Sequence, residues 1–159
     1  MSRQLTDKQW EAHIWLARMW DKEREIEMYK MRMDKIISQL SGIGKYDADF
    51  VPSQSGENAV ETKNLEYSYL CEKIEKLILN ISIENLHTGE VIDKVKDRKM
   101  HDMLYERYIN RMSWNQIGDK HHYAQRQPYN YMHKCLDEVR KYIPEEEIRK
   151  VVYEHDEQI

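Results

Sequence analysis

From Asn58 to Val95 apolar residues recur at helical spacing: Val60, Tyr67, Leu70, Ile74, Leu77, Ile78, Ile81, Leu86, Ile92 and Val95. A helix of about 38 residues extends roughly 57 Å. Such a rod cannot bury its stripe against itself, so it must pair with another helix of the chain, with a second copy, or with both. Gly89 weakens it by roughly 1 kcal/mol relative to Ala and does not forbid it. One Phe, five Gly and three Pro in 159 residues, with 34% charged side chains, fit helices joined by few turns. The expected fold class is all-α.

A partner for that rod lies upstream. Thr6 and Asp7 offer a helix start, and Ala12, Trp15, Leu16, Met19, Ile26, Tyr29, Met33, Ile36, Ile37 and Leu40 form a stripe interrupted by Lys22, Glu23 and Lys30. The interruptions argue against a long coiled coil and for a helix packed on a neighbour. Residues 1–40 therefore read as an N-terminal helix, 41–58 as a flexible linker rich in Gly and Ser, and 59–97 as the middle helix pairing with the first. A long antiparallel helical hairpin, inclined to oligomerise, is the expectation.

After Asp97 the pattern breaks into short helical pieces, as in a helix-turn-helix. Ser113 followed by Gln116 is a capping box, with Trp114 and Ile117 on the buried side of a short helix ending near Lys120. Met103, Leu104, Tyr108 and Ile109 before it, and Tyr131, Cys135 and Val139 after it, would close a small three-helix core. The total charge is −4, but residues 98–143 hold nine Lys and Arg against five Asp and Glu, a net +4, leaving −8 elsewhere. The basic charge thus sits in one window. Residues 144–159 follow as an acidic helix or tail, opened by Pro144 and three Glu.

The run from Arg107 to Leu136 resembles the C-terminal module of phage-encoded late transcription regulators of the ArpU and RinA kind, whose helix-turn-helix is like region 4 of sigma factors. Arg107, Tyr108, Ile109, Ser113, Trp114, Ile117, Tyr123, Arg126, Gln127, Tyr129 and Leu136 carry the resemblance. Gly118, Ala124, Pro128, Asn130 and Cys135 depart from the family's Ala, Ser, Val, Arg and Ala. The resemblance covers most of the chain, since a helix ending in Leu40, Ser41 and Gly42, a variable linker and a long middle helix are similar too. It implies transcription control, with the last helix in the major groove and a surface able to touch RNA polymerase.

A helix starting at Ala124 would point Gln125, Arg126, Tyr129, Asn130 and His133 outward as base-reading candidates, with positions 128, 131, 135 and 139 inward. Arg126 suits guanine, and Gln125 or Asn130 suits adenine. Ser113, Lys120, His121, Lys134, Arg140 and Lys141 are the phosphate candidates. Pro128 complicates the entry: with Ala124 as cap it removes the first intrahelical hydrogen bond, whereas with Gln127 as cap it takes the favoured first position and leaves Gln125 and Arg126 in the turn.

Other chemistries find little footing. His121, His122, His133 and Cys135 lack the paired short spacings of structural zinc, so no metal and no cofactor are expected. Acidic groups such as Glu25 with Glu27, or Glu145 to Glu147, read as solvated faces, and no phosphate loop, nucleophile elbow or zinc-protease motif occurs, so the chain is not expected to be an enzyme. Trp10, Trp15 and Trp20 read as helix-core packing rather than a partner surface. Two distant cysteines, Cys71 and Cys135, with no long apolar run or lipidation signal, point to a reducing cytoplasm and no membrane. The expected partners are double-stranded DNA, RNA polymerase and further copies of the chain. Two other roles use the same parts: an adaptor on RNA polymerase or a sigma factor without base readout, and a small terminase-like packaging subunit.

Overall fold

The computed structural model describes residues 4–43 and 54–154, and they are all-α: α1 (Asp7–Leu16), α2 (Trp20–Ile43), α3 (Gln54–Ile92), α4 (Arg98–Tyr108), α5 (Trp114–Lys120), α6 (Gln127–Arg140) and α7 (Glu145–Ile148), then a π-helical turn (Arg149–Tyr153). They fall into two compact units, one of residues 4–19 and 83–154, the other of residues 20–43 and 54–82. Most of the expected linker, residues 44–53, lies outside the described residues, and helix runs into it from both sides.

In the second unit α2 lies antiparallel to α3, as early residues of one meet late residues of the other. Lys22 Nζ donates to Asn80 Oδ1 at 2.6 Å, Lys73 sits 5.8 Å from the Tyr29 ring, and Arg32 pairs with Glu66 at 3.0 Å. Ile26 and Ile36 of α2, with Leu70, Ile74 and Ile81 of α3, are the buried stripes of this hairpin. Burying each contributes about 1.5–3 kcal/mol.

One N-terminal helix was expected over 6–40; instead it breaks at 17–19. Arg18 explains the break within the first unit. Its guanidinium donates to the Trp15 carbonyl at 2.9 Å, one of the orphan acceptors at the end of α1, stacks 3.9 Å from the Trp15 ring, and pairs with Glu84 at 3.0 Å. Burial alone would lower its pKa, an effect the Glu84 carboxylate opposes.

The cores of the first unit are Ala12, Trp15 and Leu16 of α1, Val91 and Ile92 at the end of α3, and the expected Met103, Leu104, Tyr108, Cys135 and Val139, joined by Leu136, Ile143 and Ile148. α3 passes through Gly89 unbroken, and a Cβ there would meet Tyr105 at an ordinary 3.8 Å. The main departure concerns α1: it packs on α6, the helix expected to read DNA. The described part of the acidic segment packs against α1 as well, with Glu145 on Arg140 at 3.0 Å and Glu147 on His87 at 2.7 Å.

Candidate nucleic-acid interface

α5 is short and closed at both ends by local chemistry. Ser113 Oγ accepts from the Gln116 amide at 3.1 Å while Gln116 Oε1 accepts from the Ser113 amide at 2.9 Å, completing the capping box. At the other end the Tyr123 amide donates to the Gly118 carbonyl at 2.8 Å and the His122 amide to Asp119 at 3.3 Å. This Schellman-type stop places His122 at a φ of 59°, a conformation that favours glycine.

The chain then turns and enters α6 beside Gly118. A Cβ on Gly118 would lie 2.5 Å from Pro128 Cγ, so the two residues are sterically coupled. A side chain at position 118 and the ring of Pro128 therefore exclude one another.

The start of α6 matches neither expected register. Arg126 is the cap residue, Gln127 is the first helical residue and Pro128 the second. Pro128 at that place has no amide whose absence matters, because the first turn of a helix has no intrahelical acceptors. One turn earlier Gln127 is bonded to Ala124 in both directions: its Oε1 accepts from the Ala124 amide at 3.3 Å, and its own amide donates to the Ala124 carbonyl at 2.9 Å.

The base-reading candidates divide into two groups. Gln125, Arg126, Tyr129 and Asn130 are exposed at the open end of α6, Tyr129 donating its hydroxyl to Asn115 Oδ1 at 3.3 Å. Arg126 makes no ion pair or side-chain hydrogen bond among the described residues. His133 is different. Its Nδ1 lies 3.0 Å from Gln9 Oε1, and Gln9 Nε2 donates to Asp137 Oδ1 at 3.0 Å and toward the His133 carbonyl at 3.4 Å. The Gln9 amide thus spends both of its ends on α6, and His133 faces α1 rather than a groove-facing surface. Gln4, Thr6, Gln9, Asn130, His133 and Lys134 line a shallow groove of about 620 Å³ along this contact.

The phosphate candidates are also sorted by their partners. Lys120 and His121 share Glu106, at 3.4 and 3.0 Å, and that carboxylate is 10% exposed, so both side chains are already engaged within the fold. Arg140 requires correction: its side chain is 8% exposed, paired with Glu11 at 3.6 Å and with Glu145 through two bonds of 3.0 Å. Those two bonds raise the Arg140 pKa and lower that of Glu145. Arg140 is a structural cation and not a phosphate contact. Lys141 is exposed but lies 3.0 Å from Glu138, which raises its pKa. Ser113 is exposed with its oxygen engaged in the cap. Lys134 is exposed, its ammonium 5.6 Å from the Tyr131 ring.

Tyr131, expected inside the core, instead belongs to a half-buried aromatic column. His121 stacks on Tyr123 at 5.6 Å and Tyr123 on Tyr131 at 5.8 Å. Lys99 of α4 lies 4.4 Å from both tyrosine rings and donates to the Tyr131 hydroxyl at 3.0 Å, contacts that raise its pKa. The column ties the turn before α6 to the start of α4. Gln9, Glu106 and Lys99 are the residues that sequence reasoning missed. Only Gln9 carried a local signal, the Thr6–Gln9 capping box, whose amide bonds at 3.0 and 3.2 Å also fix the start of α1.

Among the described residues no group of three metal-ligating side chains is close enough to hold a metal ion. Burial pushes the Cys135 thiol up to about 12, which makes it a poor nucleophile or ligand at neutral pH. No helix of the described residues is long and apolar enough to cross a membrane. Compared with protein-family models, with curated proteins and with solved structures, the chain matches none.

Proposed function

We propose that this chain is a DNA-binding transcription regulator of the phage late-gene kind, reading promoter-region DNA with α5, the following turn and α6 as its helix-turn-helix. The observation that carries the reading is the open end of α6, where the Arg126 side chain has no partner among the described residues and stands among exposed Gln125, Asn130 and Lys134. Arg126 offers a guanine two parallel hydrogen bonds, and Asn130 or Gln125 offers the same to an adenine. Lys134, with Lys120 and His121 at the turn, supplies the phosphate contacts that set the register on the duplex.

This division of labour limits the electrostatic share of binding. With Arg140 buried and Lys141 beside Glu138, Lys120 and Lys134 leave about two charged phosphate contacts, so affinity should fall roughly 12-fold between about 50 and 200 mM salt. Retention of the full-length protein on a phage regulatory fragment, titrated with salt, measures this. No retention on any phage-genome fragment at low salt would remove the proposal.

A second reading, an adaptor that docks on RNA polymerase or a sigma factor, is favoured by one observation: α1 covers α6 beyond its first two turns, leaving a short reading surface. Co-purification with polymerase in the absence of DNA would support it, and an unchanged polymerase profile would count against it.

A further inference from the structure

α3 carries two apolar seams on opposite sides. One, through Leu70, Ile74 and Ile81, is buried. The other runs through positions 65, 69, 72, 76, 79, 83 and 86, alternating steps of four and three residues, the spacing of a helix-pairing seam. Relative to Ile74, at 100° per residue, these positions lie roughly 120–220° around the helix axis. Leu65 is 68% exposed, Tyr69 55%, Leu79 63%, Ile83 55% and Leu86 70%, so the second seam has no cover among the described residues.

The two polar positions of the seam indicate what would cover it. Glu72 and Lys76 sit at its centre, are exposed, and make no ion pair among the described residues. If a second α3 is laid antiparallel with a two-fold axis at the level of Ile74, Glu72 of each copy falls opposite Lys76 of the other. In that register Tyr69 meets Leu79 and Leu65 meets Ile83, so every apolar residue from 65 to 83 on the seam finds an apolar partner. The surface is self-complementary in both shape class and charge, as a two-fold interface must be. Only the antiparallel arrangement does this; in a parallel in-register pair Glu72 would face Glu72 and Lys76 would face Lys76.

We infer that the outer face of α3 binds a second copy of this chain as an antiparallel helix pair centred on residue 74, with reciprocal Glu72–Lys76 ion pairs. The interface needs no DNA, and its test is made without DNA, so its failure leaves the proposed function untouched.

Sedimentation equilibrium of the full chain reads the outcome. Wild type is expected to be a dimer. Glu72→Lys and Lys76→Glu should each weaken the dimer about tenfold by turning two attractive contacts into repulsive ones. An equimolar mixture of the two variants should recover wild-type affinity, because both contacts are attractive in the mixed dimer. That recovery cannot come from within one chain, where each variant still carries like charges at 72 and 76. A wild-type monomer at every concentration, a dimer indifferent to both substitutions, or a mixture no tighter than either variant alone would each overturn the inference. Both sites are exposed, and circular dichroism checks that the variants keep their helices.

Discussion

Replacing Arg140 with Met is expected to cost about 3 kcal/mol of folding stability while leaving DNA binding by the folded protein unchanged. Arg140 is buried at the junction of α1, α6 and α7, where its guanidinium meets Glu11 and Glu145. Glu145 is well exposed and can return to water, but Glu11 is buried and also receives the Tyr153 hydroxyl at 3.3 Å. Removing the cation leaves Glu11 without its charge partner in a site of low polarity, and breaking such a pair typically costs more than replacing it entirely. Arg140→Met combined with Glu11→Met should therefore recover most of the loss. Denaturant melts of the four proteins of this cycle measure the coupling. A cost under about 1 kcal/mol for the single variant, or a double variant as unstable as the sum, would show that the pair does not hold the junction together.

The second large effect concerns the close approach of Gly118 and Pro128 at the turn. Gly118→Ala is expected to destabilise the protein by about 1–2 kcal/mol, although alanine is the better helix former by about 1 kcal/mol. The reason is the 2.5 Å approach of the new Cβ to Pro128 Cγ, an atom of a rigid ring held in the first turn of α6. Neither neighbour can rotate away, so α5 and α6 must separate. In a Pro128→Ala background the same Gly118→Ala change should become stabilising, since the obstruction is gone and the propensity gain remains. A Gly118→Ala effect of the same sign and size in both backgrounds would mean that the two positions do not meet.

These two effects also mark where the sequence was legible. The long stripe of α3 and the Ser113–Gln116 cap were readable because both are local: one is a periodicity, the other a hydrogen-bond pair three residues apart. The break at Arg18 was not, because what ends α1 is a side chain reaching Glu84, 66 residues away. Nor did the α1 stripe disclose its partner; an apolar face states that something covers it, not which helix does. At the site, Arg140 and Lys141 are adjacent and both cationic, yet one is buried and the other exposed. Helical phase distinguishes them: Arg140 follows the buried Val139 on the side that α1 covers, while Lys141 turns outward. Pro128 removes a helical hydrogen bond only if the helix starts at Ala124. It is compatible with the observed start because the helix begins later, at Gln127, and because Gly118 makes room for the ring.

The proposed function depends most directly on Arg126 reading a base. Fluorescence anisotropy of the full chain on its retained fragment, with wild type and Arg126→Ala compared at one salt concentration, tests it directly. The Arg126 side chain makes no ion pair or hydrogen bond among the described residues, so the variant should melt like wild type and lose about 5- to 150-fold in affinity for that fragment, with little loss on unrelated DNA. An Arg126→Ala protein that binds the fragment as tightly as wild type, or that loses the same factor on every DNA, would contradict base reading by α6.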